Sequence, residues 1–214
     1  EYGQSEIGYM LAHPDLFEHR VTDYLEQYFV SLGVRFQRQP VQPLRDNIVA
    51  VYEPPGAART FVFEAHQDTV PTDNMTIDPF GARVEGGRLY GRGACDIKGG
   101  MAAMLAAFAR LVREKPAGSA RVVMACTVDE EFTFLGVQRL AADDLSGGHN
   151  HPVGAVVAEP TNLQIVNTHK GAVRWHLVTH GQSCHSSRPE LGVNAIYHMA
   201  EVVPHVARYA DQLR

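Results

Sequence analysis

The spacing of hydrophobic residues predicts helices and strands that alternate as far as about residue 160. Apolar residues at helical spacing predict two helices over about Gln4–Leu32, divided near Pro14, and one over Lys98–Arg113. A further helix is predicted at Phe134–Ala142. Short apolar or alternating runs predict four strands, at Asn47–Tyr52, Thr60–Ala65, Arg121–Thr127 and Val153–Ala158. This alternation is typical of an α/β layered sheet.

The pattern changes near Lys170-Gly171, where we place a boundary between two domains, residues 1–170 and 171–214. Alternating residues predict one long strand, Ala172–His180, and helical spacing predicts a helix over Val193–Leu213. One strand and one helix cannot bury a core of their own. We therefore expect this second domain to be incomplete at Arg214.

Composition and charge exclude several classes of protein. The 214 residues are 45% hydrophobic and 20% charged, as in globular rather than disordered chains. A net charge of -5 argues against nucleic-acid binding. The apolar runs are too short to span a membrane, and we expect no signal peptide. Three widely separated cysteines, Cys95, Cys126 and Cys184, favour a reducing compartment, so we expect a cytoplasmic protein.

Histidine and acidic residues follow the predicted strands or precede a helix. They are His66, Asp68, Asp96, Asp129, Glu130, Glu131 and Glu159. Each alone has an ordinary structural explanation, such as a helix N-cap for Asp96 or a solvated surface for the two glutamates. Ligands of open α/β sheets gather outside the carboxyl ends of strands. Together these residues therefore indicate one shared crevice.

A crevice of this composition favours a divalent cation. Carboxylates that lie close together raise one another's pKa and destabilise the fold, and a cation removes the repulsion. Mixed nitrogen and oxygen ligands suit Zn²⁺, with Co²⁺ and Mn²⁺ as alternatives. In two-metal hydrolases, one carboxylate can bridge ions about 3.5–4 Å apart.

Five motifs in order resemble those of the M20 metallopeptidase family. The segment His66–Pro71 matches the family's HxDxVP motif. The others are Gly91–Gly100, Asp129–Glu131, Glu159–Thr161 and His185–Ile196. The resemblance implies a mixed, mostly parallel sheet flanked by helices, as in zinc exopeptidases, followed by the start of an α+β lid domain.

The resemblance also implies a set of metal ligands. His66, Asp96 and Glu159 would hold one Zn²⁺, and Asp96 would bridge to a second, which Glu131 also binds. Relatives carry a cis peptide after the bridging aspartate, here Asp96-Ile97. The family's last ligand, a histidine, has no counterpart in this sequence. We therefore favour a piece of a longer enzyme over a truncated gene product or a chain completed by a second chain.

The remaining implied roles concern the chemistry. Glu130 would be the general base, Asp68 would orient the ring of His66, and His185 would stabilise an oxyanion, often from the partner subunit of a homodimer formed through the lid. The side chains of neighbouring residues in an extended chain point in opposite directions, so we expect Glu130 and Glu131 to have different roles.

The implied activity is hydrolysis of the amide bond of an N-acyl amino acid in amino-acid biosynthesis, as in acetylornithine deacetylase-like enzymes. A dipeptidase or aminopeptidase of the same family is the first alternative. A truncated metal-binding fragment without turnover is the second.

Overall fold

The computed structural model describes residues 17–143, 145, 151–169, 171 and 175–213. By its internal contacts the chain divides into two compact units, Glu1–Ile165 and Val166–Arg214. The predicted boundary near Lys170-Gly171 remains a prediction. Within the described residues, no helix combines the length and apolar character needed to cross a membrane.

A five-stranded mixed sheet forms the centre of the first unit. Its order is β1-β2-β6-β3-β7, and a separate hairpin consists of β4 and β5. The strands are β1 Arg35–Gln42, β2 Arg45–Tyr52, β3 Thr60–His66, β4 Arg83–Glu85, β5 Arg88–Tyr90, β6 Arg121–Thr127 and β7 Gly154–Val157. β2 pairs antiparallel with β1 and β6, whereas β3 runs parallel to β6 and β7. The predicted α/β sheet is confirmed.

Four α-helices lie within the described residues. They are α1 His19–Leu32, α2 Gly99–Glu114, α3 Leu135–Ala142 and α4 Ala195–Gln212. A π-helical turn, Ala94–Lys98, leads into α2. Gly33 ends α1 in the left-handed conformation (φ 64°), where its N–H bonds to the carbonyls of Phe29 and Val30.

Helices cover both faces of this sheet. On one face, Phe29 of α1 and Phe108 of α2 meet edge to face with their ring centroids 6.2 Å apart. On the other face, Leu140 of α3 packs in a smaller cluster with Val49 and Val123. Side chains alternate between faces along a strand, and Ile48 and Ala50 accordingly join the first cluster while Val49 joins the second.

Two elements differ from the sequence-based expectation. Strand β1 was not predicted, because Arg35–Gln42 is polar and contains Pro40; it lies at the edge of the sheet, where proline is tolerated. The predicted strand Ala172–His180 is wrong in its described part, since residues 175–180 form no strand. A strand exists only where a neighbour accepts its hydrogen bonds, and the one β-bridge described in this unit joins Gln182 to Val193.

The long helix of the second unit agrees with its prediction, because α4 covers most of Val193–Leu213 and contains Pro204. Residues 4–16 of the first predicted helix lie outside the described part of the chain.

Candidate metal centre

Parallel strands bring the predicted ligands to one edge of the sheet. Strands β3, β6 and β7 run in the same direction, so their carboxyl ends meet at that edge. His66 is the last residue of β3, Glu130 and Glu131 follow β6, and Glu159 follows β7. The remaining ligand candidate, Asp96, comes from the π-helical turn.

The imidazole of His66 lies at the centre of these residues and is only 1% exposed. Its Nε2 is 3.2 Å from Oδ1 of Asp96. Its Nδ1 is 3.2 Å from the carbonyl oxygen of Asp68 and 3.4 Å from Oδ1 of the same residue. Both ring nitrogens therefore face oxygen atoms, and Asp68 can hold the orientation of the ring.

The carboxylate of Asp68 also connects two loops. Its Oδ1 accepts a hydrogen bond from the N–H of Glu130 (3.1 Å), and its Oδ2 accepts one from the N–H of Glu131 (3.0 Å). Burial raises the pKa of Asp68, but the hydrogen bonds with His66 and with the two N–H groups outweigh burial and lower the pKa. Asp68 therefore stays ionised and fixes the Glu130-Glu131 backbone beside His66.

Two groups of side chains are close enough to hold an ion. One is His66, Asp96 and Glu159, and the other is His66, Glu130 and Glu131; within each group the candidate ligand atoms lie within 4.8 Å of one another. The first is the set predicted for one of the two ions. Glu131 falls in the second group, beside Glu130. His66 is the member that the two groups share.

The charges at this edge fit a divalent cation. Burial raises the pKa of Glu130, Glu131 and Glu159, and neighbouring carboxylates raise it further, against the opposing charge of His66. Such carboxylates gain from a nearby positive charge. One imidazole nitrogen with several carboxylate oxygens is a donor set that zinc and similar ions accept.

If His66 is a metal ligand, its protonation should make ion binding depend on pH. Burial lowers its pKa, but the hydrogen bond with Asp68 and the charges of Asp68, Glu130 and Asp96 raise it to about 9. A proton must therefore leave His66 when an ion binds, and we expect the affinity for Zn²⁺ to rise about tenfold per pH unit between about pH 6 and 8. Calorimetric titration in buffers of different ionisation enthalpy should count about one released proton. An affinity independent of pH would contradict this reading.

The same shift affects the stability of the metal-free protein. A pKa raised from 6.5 to about 9 stabilises the fold fully below pH 6.5, and this contribution is lost as the pH rises through about 9.

The turn that carries Asp96 is tied to the loop after β3. The peptide bond between Asp96 and Ile97 is cis, as the resemblance predicts. Lys98 donates from Nζ to the carbonyl oxygen of Gln67 (2.8 Å). Gly93 has a φ of 78°, and a Cβ there would come within 2.9 Å of Thr69 and 3.3 Å of Lys98 Nζ. The positive φ in particular favours glycine at this position.

Glu64 is a buried acid near the site that the motifs did not indicate. It lies on β3 two residues before His66, and its Oε1 accepts a hydrogen bond from Oγ1 of Thr127 (2.6 Å). Burial raises its pKa, while the Thr127 hydrogen bond and the charge of His66 lower it. A carboxyl within the apolar run Thr60–Ala65 was the available signal in the sequence.

His185 lies in the second unit. It is exposed, and its Nδ1 is 2.8 Å from Oγ of Ser187. The oxyanion role expected for this residue remains a prediction, as do the roles of the candidate ligands.

Comparisons with known proteins agree with the five motifs. Residues 62–210 match the profile of Peptidase family M20/M25/M40. Acetylornithine deacetylase of Pasteurella multocida is 33% identical over 207 residues, which are 94% of this chain and 52% of that protein. The chain therefore spans about half the length of this curated relative.

Solved structures share the fold. A tripeptidase of Staphylococcus aureus aligns with a TM-score of 0.57 at 19% identity, over 86% of this chain and 50% of its own. An aminopeptidase of Bacillus cereus aligns with a TM-score of 0.57 at 23% identity, over 88% of this chain and 51% of its own.

Proposed function

Because the chain belongs to Peptidase family M20/M25/M40, we propose that its protein is a metal-dependent hydrolase that cleaves the amide bond of an N-acyl amino acid. The observation that carries the proposal is the group of His66, Asp96 and Glu159, whose ligand atoms lie within 4.8 Å of one another, with Glu130 beside it. An acid–base group next to a cation site is the arrangement that metal-assisted amide hydrolysis needs.

In this proposal the chain's own residues hold the ions. His66, Asp96 and Glu159 would hold one Zn²⁺, and Asp96 and Glu131 would contribute to a second. Bound zinc supplies Lewis acidity toward the substrate carbonyl and lowers the pKa of water. Asp68 keeps the ring of His66 in the tautomer that leaves Nε2, the nitrogen facing Asp96, free to bind.

Glu130 moves the proton. It takes one from the attacking water, whose oxygen bonds to the acyl carbon, and returns it to the leaving amine as the carbon–nitrogen bond breaks. The products are a carboxylate and a free amine. Burial and neighbouring carboxylates raise the pKa of Glu130, which brings it closer to neutral pH and suits a group that both accepts and donates. His185 contributes a donor to the oxyanion, from a partner subunit in a homodimer.

The substrate class rests on the relative with the higher identity, which is named an acetylornithine deacetylase. The rival is peptide hydrolysis, because solved structures with the same fold are named as a tripeptidase and an aminopeptidase. All three cysteines are free thiols, which supports a reducing compartment such as the cytoplasm.

An assay with chelated and metal-restored protein tests the proposal. We expect release of ornithine from N-acetylornithine to stop when a chelator removes the metal and to return when Zn²⁺ is added. N-succinyl-diaminopimelate and a dipeptide are the comparison substrates. Faster cleavage of the dipeptide would favour the peptidase alternative. Absence of metal-restored hydrolysis with all three substrates would contradict the proposed activity.

A further inference from the structure

A buried group of three charged residues lies behind the acidic loop. Glu18, Arg45 and Asp129 are 5%, 6% and 0% exposed. Arg45 donates from Nε to Oε2 of Glu18 (2.9 Å) and from Nη2 to Oε1 (2.5 Å), which is a bidentate pair. Its Nη1 donates to Oδ1 of Asp129 at 2.8 Å. None of the three residues is among the candidate metal ligands.

Asp129 uses all its polar groups at the corner where the chain leaves β6. Its φ is 65°, in the left-handed region. Its N–H donates to Oε1 of Glu18 (3.3 Å), and its carbonyl oxygen accepts from the N–H of Phe134 (2.7 Å). Its Oδ2 accepts from the N–H of Leu135 (3.2 Å) and from the hydroxyl of Thr133. These hydrogen bonds therefore fix the backbone conformation at Asp129.

Glu130 and Glu131 come directly after this corner. Their N–H groups bond to Asp68. The segment is thus held between two carboxylates, one bound to His66 and the other to Arg45. β2 starts at Arg45 and runs antiparallel to β6, which brings the guanidinium to the end of β6 that carries the acids.

We propose that Arg45, held by Glu18, is a positioning residue that sets, through Asp129, where Glu130 and Glu131 stand relative to His66. This inference rests on the proposed function for its catalytic consequence. A buried ion pair is seldom the most stabilising choice for a core, because desolvation offsets its attraction. Arg45 fixes the direction in which the chain turns at Asp129. Its positive charge counters the negative charges of Glu18 and Asp129, and it does not bind the carboxylates that are candidate cation ligands.

The test compares two buried arginines that each begin a strand, Arg45 in β2 and Arg121 in β6, so that they lie at opposite ends of an antiparallel pair. Arg45→Met removes the proposed positioning contact. Arg121→Met is the matched control: Arg121 is 4% exposed, begins β6, and donates to the carbonyl oxygen of Leu145 (2.5 Å). Arg45→Lys keeps the charge but loses the bidentate geometry.

Amide hydrogen exchange and Zn²⁺ affinity are the readouts. In Arg45→Met we expect the amides of Glu130 and Glu131 to exchange at least about tenfold faster, while those of residues 122–126 stay protected. We expect Zn²⁺ affinity to fall about 10–100-fold, as for outer partners of metal ligands, and kcat to fall with KM unchanged. Arg45→Lys should lie between wild type and Arg45→Met. Arg121→Met should lower Tm without either local change.

The opposite pattern overturns the inference. If Arg45→Met and Arg121→Met lower Tm equally and exchange at Glu130 and Glu131 stays at the wild-type rate, Arg45 is only structural. Should Arg45→Met fail to fold, Asp129→Asn tests the same link with a nearly isosteric change. Failure of the proposed function would appear as wild-type protein without zinc binding or hydrolysis; the exchange rates then still decide whether Arg45 sets the loop.

Discussion

Glu130→Gln is expected to lower kcat for amide hydrolysis by about 10³-fold, within the range typical of a lost general base, and to leave the bound metal in place. Gln keeps the size and the backbone hydrogen bond to Asp68 (3.1 Å) but cannot accept the proton of the attacking water. The measurement is kcat and metal content for the same purified sample.

Glu131→Gln is the matched control for this prediction, because it alters the neighbouring carboxylate. If Glu131 is a ligand, its variant loses metal affinity together with rate, whereas Glu130→Gln loses rate alone. Equal loss of metal in the two variants would make Glu130 a ligand, in keeping with its grouping with His66 and Glu131. An unchanged rate in Glu130→Gln would remove it from the mechanism.

Much of the candidate site is predictable because the direction of the strands determines which strand ends meet at one edge of the sheet. Three predicted strands are followed by histidine or acids, and parallel pairing of β3 with β6 and β7 brings these three ends together. The metal ligands also stand in short, ordered motifs, so the resemblance could assign Asp96 although it comes from a turn rather than a strand. The cis peptide at Asp96-Ile97 was available from that source alone.

The buried charged residues behind the acidic loop, Glu18 and Arg45, could not be predicted in the same way. Glu18 and Arg45 are single charged residues 27 positions apart, and neither belongs to a motif. Their partnership appears only when α1 packs against the sheet and places Glu18 beside the start of β2. Buried ion pairs of this kind are tertiary contacts, and no local spacing indicates them.

Strand predictions failed where pairing, rather than side-chain pattern, decides the structure. Arg35–Gln42 looks too polar for a strand, yet β2 supplies its hydrogen bonds along one edge. Residues 175–180 alternate well, but they pair with no described segment. The alternation of polar and apolar residues indicates which side chains can face a core. The backbone forms a strand only when a partner strand is present.

His66→Gln is expected to weaken Zn²⁺ binding more than the roughly 10–100-fold typical of outer partners, and to abolish metal-restored hydrolysis. The reason is that His66 belongs to both groups of candidate ligands, so its loss leaves only carboxylates in each. Competition with a chromophoric chelator measures the affinity over the required range.

Two variants make the His66 result specific. Asp68→Asn keeps the imidazole but weakens its support, so its affinity should fall about 10–100-fold and lie between wild type and His66→Gln. His198→Gln changes an exposed histidine of α4 and should bind Zn²⁺ like wild type. If His66→Gln also bound Zn²⁺ like wild type, the edge formed by β3, β6 and β7 would not be the metal centre, and the proposed mechanism would lose its site.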